Sequence, residues 1–253
     1  MDIWADCKDY ISPEFISHEL IRVVESQEQV ATNTLVDNLE EQDLLEHMLE
    51  NTKPAIPHSH RGELHYLLAT PFRYPPLEFG SRFGTRFEPG IFYGSHTLST
   101  AFTETAYYRF LFWRGMHTPP QSNKFVTQHT VFGAKYKTTC GLKLQKAPFS
   151  DYESYLTDPA DYSTTQPLGT AMRKYGIEAF QFRSARDPER GINAGLFAPK
   201  VLASSQPLYQ QQWLCETSQD NVGFYSAVDS NVHRYSIDIY LANGQFPEPG
   251  IRH

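Results

Sequence analysis

The chain has 253 residues, 40% of them hydrophobic and 14% aromatic, which is long and apolar enough for a substantial folded core. Its net charge of -7 and its lack of long basic runs argue against nucleic acid as a direct partner. The N-terminus lacks the basic and apolar regions of a signal peptide, and no apolar run reaches about 18 residues, so we expect a soluble, cytoplasmic protein without a membrane partner.

Residues that commonly bind metals are scattered through the chain. The three cysteines, Cys7, Cys140 and Cys215, form no CxxC motif, and we expect them to be reduced and structural. His58 and His60 lie close together in a proline-flanked segment, but no carboxylate or cysteine follows at ligand spacing. The sequence therefore predicts no metal site.

The N-terminal quarter has the pattern of helices. Ser12 and Pro13 are typical of a helix start, and the apolar spacing that follows predicts a helix over 13–26. A second, strongly acidic amphipathic pattern predicts a helix over 34–50. We expect residues 1–60 to form a helical arm, serving as a packing subdomain or a dimer surface.

From Glu63 the pattern changes to short apolar runs between glycines and prolines. Residues 64–69 are predicted as a strand, which the following prolines end. Further on, 86–87 and 91–93 are predicted as two short strands around a Glu-Pro-Gly turn. Pairing of these strands would hold Arg86 and Tyr93 near one another.

A helix is predicted over 98–112, with an N-cap within Ser95–Thr97. Glu104 falls at the margin of its apolar stripe. It is either an ordinary surface glutamate or a partly desolvated carboxylate that needs a cationic or hydrogen-bonding neighbour.

The second half of the chain alternates short strands with one helix. A helix over 168–175 is expected to end at Gly176, a residue suited to the left-handed position after a helix. The strand predicted next runs into Ser184, which is either a turn cap or a group directed into a site. An Asn243-Gly244 pair predicts a tight turn. Strands are predicted over 130–136, 141–144, 177–182, 193–197 and 233–241.

No break in composition divides residues 61–253, so we expect them to form one α+β domain. Common catalytic and nucleotide motifs are absent: the segment 80–84 lacks the lysine of a P-loop, and there is no GxGxxG, GxSxG or HExxH. What remains is a set of Arg, Tyr, Glu and Ser residues. Arginine binds phosphate, tyrosine stacks on heterocycles, and a carboxylate stabilises a cationic sugar, so the set suits cleavage of a nucleotide N-glycosidic bond.

Four segments together resemble a known family. They are Arg73-Tyr74, Arg86-Phe87-Glu88-Pro89-Gly90-Ile91-Phe92-Tyr93, Ala101-Phe102-Thr103-Glu104 and Arg183-Ser184. The run is similar to the RES-domain family, toxins of bacterial Res–Xre toxin–antitoxin systems, and the likeness extends from about Glu63 to Pro199. The resemblance implies an α+β fold like that of ADP-ribosyltransferases, with a split mixed or antiparallel sheet and an N-terminal helical arm.

The resemblance also implies roles for the phosphate-binding and stacking residues. Arg73 and Arg86 would hold the phosphates of NAD⁺ or an incoming phosphate, with Arg86 also counted as catalytic. Tyr74 and Tyr93 would pack against the nicotinamide or its ribose.

Two further roles follow from the same resemblance. Glu104 would be the catalytic carboxylate, and Ser184 would be a polar contact on the nicotinamide side. One position departs from the family pattern, because the Trp-Asn that often follows the motif arginine is Phe87-Glu88 here. Glu88 would either repel a phosphate or point to solvent.

The implied activity is depletion of NAD⁺, with phosphate or water as acceptor and no prosthetic group. A mono-ADP-ribosyltransferase acting on a protein, and a module that binds a nucleotide or a partner without catalysis, are the alternatives. The resemblance implies an Xre-type antitoxin and a homodimer as partners, with secretion as an effector the weaker alternative.

Overall fold

The computed structural model describes residues 1–26, 38–52, 54, 63–74, 76–229 and 231–249. The strands of these residues are β1 (Glu14–Glu25), β2 (Phe92–Ser95), β3 (Lys124–Lys143), β4 (Ala179–Arg183), β5 (Ile192–Leu196), β6 (Tyr209–Ser218), β7 (Asn221–Tyr225) and β8 (His233–Ser236). Their α-helices are α1 (Ile3–Cys7), α2 (Leu39–Thr52), α3 (Tyr66–Arg73), α4 (Leu98–Arg114), α5 (Glu153–Leu156) and α6 (Thr165–Tyr175). None of these helices combines the length and the apolar character needed to cross a lipid bilayer.

The strands form one mixed sheet in the order β1-β2-β5-β4-β3-β6-β7-β8. Strand β1 pairs with both β2 and β3, so the circuit β1-β2-β5-β4-β3 closes on itself. The long β3 uses its other edge twice, pairing antiparallel with β6 along its first half and parallel with β4 at its end. The sheet therefore divides at β3, with β6, β7 and β8 beside its first half and β4, β5 and β2 beside its end. The predicted α+β class with a mixed sheet is confirmed.

The N-terminal strand is the largest difference from the sequence prediction. Residues predicted as a helix over 13–26 form β1, which pairs with β3 along its length. Ile16 and Leu20 are both buried, and their spacing of four suits one face of a helix and one face of a strand alike. Pairing with β3 supplies hydrogen-bond partners for the backbone N–H and C=O groups of the segment. The β-branched Ile21 and Val23 are well suited to a strand. The helix prediction is wrong here.

The second helix predicted in the N-terminal arm is confirmed for the residues that the structure describes. Helix α2 begins one residue after Asn38, whose side-chain oxygen accepts a hydrogen bond from the Glu41 backbone N–H at 2.9 Å, and it ends at Thr52. Residues 34–37 of that prediction lie outside the described residues, as do His58 and His60. The division of the chain at residue 60 stays a prediction.

Two short segments differ from the predicted strands. Residues 64–69 contain the start of helix α3, where the His65 ring nitrogen accepts a hydrogen bond from the Leu67 backbone N–H at 3.3 Å. A short apolar run does not distinguish helix from strand, and the strand prediction is wrong. The segment 86–87 is a turn and does not pair with 91–93. Strand β2 pairs instead with β5 and β1.

The helix ends and the tight turn are confirmed where local chemistry decided them. Thr97 caps α4, its side-chain oxygen accepting from the Thr100 backbone N–H at 3.2 Å. Helix α6 ends at Gly176, whose φ of 93° is left-handed as predicted. Asn243 and Gly244 both have positive φ, 53° and 76°, as a tight turn requires.

The predicted strands of the second half are confirmed with changed bounds. The two strands predicted over 130–136 and 141–144 are parts of the single strand β3, and those over 177–182 and 193–197 correspond to β4 and β5. The strand predicted over 233–241 ends early. Only β8 is extended, and Ile237–Tyr240 is a short 3₁₀ helix.

Helix α4 is the element that positions the site. On its buried face, Phe102 packs on Trp213 of β6 and Phe224 of β7, and Phe110 packs on Tyr240 and Phe246. A separate core under α6 contains Phe83 together with side chains of β4. Because α4 is anchored on one side of the divided sheet, its other side faces β1, β2 and β5.

Candidate active site

A cavity of about 300 Å³ lies between α4 and the strands β1, β2, β4 and β5. It contains chemically distinct groups from separate parts of the chain. Those with polar side chains include Arg22, Arg82, Tyr93, Glu104, Arg186 and Asn193.

Glu104 lines the cavity from the second turn of α4. One of its oxygens, Oε1, accepts hydrogen bonds from Ser184 Oγ and from Asn193 Nδ2, both at 2.6 Å. The two donors come from chain segments about 80 or more residues away, after β4 and on β5. Glu104 is therefore the partly desolvated, hydrogen-bonded glutamate of the two alternatives considered from the sequence.

Ser184 is buried and does not line the cavity itself, but it contacts Glu104, which does. Its Oγ accepts hydrogen bonds from the backbone N–H groups of Arg186 and Asp187, at 3.1 and 3.0 Å, so it caps the turn after β4. The same hydroxyl donates to Glu104. Because the turn holds the oxygen, the hydroxyl proton is directed to the carboxylate.

Tyr93 also lines the cavity, and its hydroxyl holds the loop before β2. The oxygen accepts from the Phe83 backbone N–H at 3.1 Å and lies 3.0 Å from Ser81 Oγ. Burial raises the pKa of Tyr93 to about 12. The phenol is therefore protonated at neutral pH and acts as a neutral hydrogen-bonding group.

Arg22 enters the cavity from β1. Its Nη1 donates to the Tyr93 carbonyl at 2.6 Å, and its guanidinium lies 5.3 Å from the centre of the Phe92 ring. Burial lowers the pKa of Arg22 to about 10, so the group remains charged at neutral pH. No carboxylate among the described residues forms a salt bridge with it.

Arg82 lines the same cavity from the loop after α3. Its Nη1 donates to the carbonyls of Asp158 and Leu156, at 2.7 and 3.3 Å. The guanidinium stacks 4.8 Å from the centre of the Tyr162 ring, another cavity residue. Backbone carbonyls and an aromatic ring therefore orient Arg82 without neutralising it.

Arg186 is the most buried of the three arginines, with 5% of its surface exposed. Its guanidinium lies 3.5 Å from the centre of the Tyr107 ring. Neither terminal nitrogen has a hydrogen-bond acceptor among the described residues. Both nitrogens are shielded from solvent, and the face of the Tyr107 ring offsets part of the cost of burying them, so the side chain offers the cavity its positive charge.

Cations dominate this cavity, although the chain as a whole is acidic. Among the described residues that line it, three are arginines and one, Glu104, is a carboxylate. The parts of the chain that the structure describes contain no cluster of three or more His, Cys, Asp or Glu side chains able to hold a metal ion. The charge balance favours an anionic ligand.

Of the six site residues predicted from the sequence, Tyr93 and Glu104 line the cavity, and Ser184 contacts Glu104 without lining the cavity itself. The other three do not line the cavity. Arg73 donates from Nε to the Pro54 carbonyl, and the exposed Tyr74 ring lies 5.9 Å from the Arg73 guanidinium. Arg86 is exposed and lies 5.0 Å from the ring of Phe87.

Glu88, the position that departs from the family pattern, has a local structural role. Its Oε2 accepts from the Thr85 backbone N–H at 2.9 Å, which closes the turn. Its Oε1 accepts from Thr170 Oγ1 of α6 at 2.7 Å. The carboxylate therefore fastens the loop to α6 and does not line the cavity.

Sequence reasoning missed all three cavity arginines. Arg22 was hidden by the helix prediction, because a residue on a supposed surface helix has no reason to face a site. Arg82 lies in the segment 80–84, whose glycines draw attention to a P-loop and away from its arginine. Arg186 follows Ser184 by two residues, and this proximity was the available signal.

Most of the residues that form this cavity lie in a region that matches a known protein family. A model of the RES domain matches residues 56–218, which is more than half of the chain. The chain belongs to the RES-domain family. No curated protein matches it.

Membership of the RES-domain family supports a nucleotide-related, toxin-like domain. The matched residues include Arg82, Tyr93, Glu104 and Ser184. Arg22 lies before the matched region, so β1 completes the wall of the cavity from outside it.

Proposed function

We propose that this RES-domain protein breaks the N-glycosidic bond between nicotinamide and ribose in NAD⁺, with phosphate or water as acceptor. The observation that carries the proposal is the placement of Glu104. This carboxylate is held on one oxygen by two donors and lies in a cavity that also contains three arginines. A cleavage that creates positive charge on a sugar and needs a bound pyrophosphate uses both features.

The arginines supply the binding part of the proposal. Arg22 and Arg82 both line the cavity, and neither forms a salt bridge with a carboxylate of the described residues, so we assign them to the pyrophosphate of the dinucleotide. Arg82 thereby takes the role that the family resemblance had implied for Arg86. A volume of about 300 Å³ is at the low end for ligand pockets, so the nicotinamide half would enter and the adenosine half would remain near the exposed Tyr108.

Glu104 supplies the catalytic part. When the bond between the ribose C1′ and the nicotinamide nitrogen breaks, its electron pair stays with that nitrogen and nicotinamide leaves neutral. The ribose then carries positive charge, which the Glu104 carboxylate stabilises across the cavity. An oxygen of phosphate or water forms the new bond at C1′, and the proton of an attacking water is released.

Arg186 bears on whether phosphate or water is the acceptor. Its guanidinium adds a third positive charge beside the cavity, which favours an anionic acceptor over water. We therefore propose inorganic phosphate as the acceptor and water as the slower alternative. Transfer to a protein side chain remains the competing reaction for the same site.

The test is incubation of the purified chain with NAD⁺, with and without inorganic phosphate, followed by mass-spectrometric identification of the products. We expect free nicotinamide and a phosphorylated ADP-ribose, and loss of about 100-fold or more in kcat for Glu104→Gln. Glu88→Gln is the matched control, because the same substitution then falls on a carboxylate outside the cavity.

Three results would contradict the proposal in different ways. Intact NAD⁺ after long incubation with folded protein would favour a binding module. ADP-ribose attached to an added protein would favour the transferase. Equal kcat for Glu104→Gln and the wild-type chain would remove Glu104 from the mechanism.

Family membership also supports a proposal about partners. We propose an Xre-type antitoxin that covers the cavity and a homodimer of the toxin itself. Co-purification of an Xre-type protein co-expressed with this chain, with inhibition of NAD⁺ loss, tests the first part. Light scattering on the purified chain tests the second, and a monomeric mass would overturn it.

A further inference from the structure

A continuous line of hydrogen bonds runs from the sheet to Glu104. Ser95 on β2 and Asn193 on β5 are directly opposite each other in the antiparallel pair. Ser95 Oγ donates to Asn193 Oδ1 at 2.6 Å, and Asn193 Nδ2 donates to Glu104 Oε1 at 2.6 Å. Both Ser95 and Asn193 are buried, at 3% and 5% exposure, so the line is shielded from water along most of its length.

The chemistry of the partners determines the direction of this line. An ionised carboxylate accepts hydrogen bonds and cannot donate, so the amide nitrogen of Asn193 must face Glu104. The amide oxygen then faces Ser95, whose hydroxyl is able to donate to it. An asparagine whose two ends are both engaged is held in one orientation, because turning the amide over would set two acceptors against each other at Glu104.

The consequence for Glu104 is a carboxylate with two unlike oxygens. Ser184 and Asn193 both donate to Oε1. Oε2 has no hydrogen bond to the described residues, and Glu104 lines the cavity. Two donors from different elements fix both the position and the plane of the carboxylate, which leaves Oε2 for the reacting group.

We propose that Asn193, oriented by Ser95, is a positioning residue that aligns Glu104 for reaction. The inference rests on the proposed function, since it concerns how the carboxylate acts in the cleavage. Asn193 acts through Glu104 and not on the sugar. Its loss should lower kcat and leave KM nearly unchanged, because a misaligned carboxylate weakens transition-state stabilisation more than binding.

Asn193→Ala in the purified full chain is the first measurement. We expect kcat for NAD⁺ loss to fall by about 10- to 100-fold with KM within about twofold of wild type. A direct contact of Asn193 with the substrate would raise KM instead. Circular dichroism and thermal unfolding show whether the variant is folded.

Asn193→Asp gives a signature that a purely structural role would not produce. The substitution is isosteric and keeps an acceptor for Ser95, but it places a second carboxylate against Glu104. Two such groups share one proton at lower pH, and the shared proton restores the missing hydrogen bond. The ratio of kcat for Asn193→Asp to kcat for Asn193→Ala should therefore rise about fivefold or more from about pH 8 to about pH 5.5.

Ser95→Ala tests the outer end of the line without altering any group that contacts Glu104. We expect kcat to fall about three- to tenfold, and the Ser95→Ala, Asn193→Ala double variant to match Asn193→Ala alone, because Ser95 acts only through Asn193.

The outcomes separate this inference from the proposed function. A wild-type chain that leaves NAD⁺ intact refutes the function. An active wild-type chain with an unchanged kcat in folded Asn193→Ala, a pH-independent kcat ratio, or additive effects in the double variant refutes the positioning role alone. If Asn193→Ala does not fold, Ser95→Ala and Asn193→Asp decide the question.

Discussion

Two consecutive segments, Ser81-Arg82-Phe83-Gly84 and Thr85-Arg86-Phe87-Glu88, carry the same Arg-Phe pair in different surroundings. Phe83 is 0% exposed and Phe87 is 87% exposed. The buried ring anchors the first segment, so Arg82 is directed into the cavity. The second segment has no such anchor, and Arg86 lies at the surface. The burial of the neighbouring residue decides which arginine can serve the site.

Local contacts reinforce this difference. Phe83 packs edge-on against Phe180 and Phe182, and Tyr93 accepts its backbone N–H. Gln166 of α6 donates to the Ser81 carbonyl at 3.1 Å. The first segment is therefore held from three sides by distant parts of the chain. The second is held mainly through Glu88.

The largest expected effect is on stability. Phe83→Ala should lower the free energy of unfolding by about 3–5 kcal/mol, because it leaves a cavity in a closely packed core. Phe87→Ala is the matched control, and its change should stay within about 0.5 kcal/mol. Denaturant unfolding of both variants measures the difference. Similar changes for the two would mean that the comparison of anchors is wrong.

The next effect is on activity. Arg82→Ala should lower kcat/KM for NAD⁺ by about 100-fold, equivalent to about 2.7 kcal/mol, while Arg86→Ala should stay within about twofold of wild type. Steady-state kinetics on both folded variants tests this directly. A larger loss for Arg86→Ala would restore the assignment implied by the family resemblance.

Tyr93→Phe tests the hydrogen bond that joins the first segment to a residue of the cavity. The variant loses the acceptor for the Phe83 N–H, and we expect about 1–2 kcal/mol of destabilisation. In the wild type the folded-state pKa of Tyr93, about 12, exceeds the unfolded value of about 10. The stability from this group is therefore complete below about pH 10 and is lost as pH rises towards about 12. The free energy of unfolding should therefore fall less steeply between about pH 10 and about pH 12 in Tyr93→Phe than in the wild type. The same pH dependence in both proteins would count against this role of the hydroxyl.

The smallest effect concerns the second segment. Glu88→Ala removes the acceptor for Thr85 and Thr170, and should lower the free energy of unfolding by about 1 kcal/mol without changing kcat. Thermal unfolding and NAD⁺ turnover are the two measurements. A marked gain in turnover would instead support repulsion between Glu88 and a phosphate.

Local chemistry made several features of this protein predictable from sequence. The Thr97 cap, the left-handed Gly176 and the Asn243-Gly244 turn depend on side chains and backbone preferences within a few residues. Glu104 and Ser184 were also named in advance, from the family resemblance. The cap, the left-handed glycine and the turn are confirmed because their causes lie within one element, whereas the roles of Glu104 and Ser184 stay predictions.

Only the tertiary structure decided the fold of the N-terminal strand and the identity of the other cavity residues. The spacing of Ile16 and Leu20 fits two kinds of element, and only pairing with β3 made the segment a strand that brings Arg22 to the cavity. The choice of Arg82 over Arg86 required the burial of Phe83 against β4. Asn193 and Ser95 became neighbours of Glu104 through strand register. Each of these features depends on contacts between residues that are far apart in the chain. The hydrophobic periodicity of the sequence does not reveal such contacts.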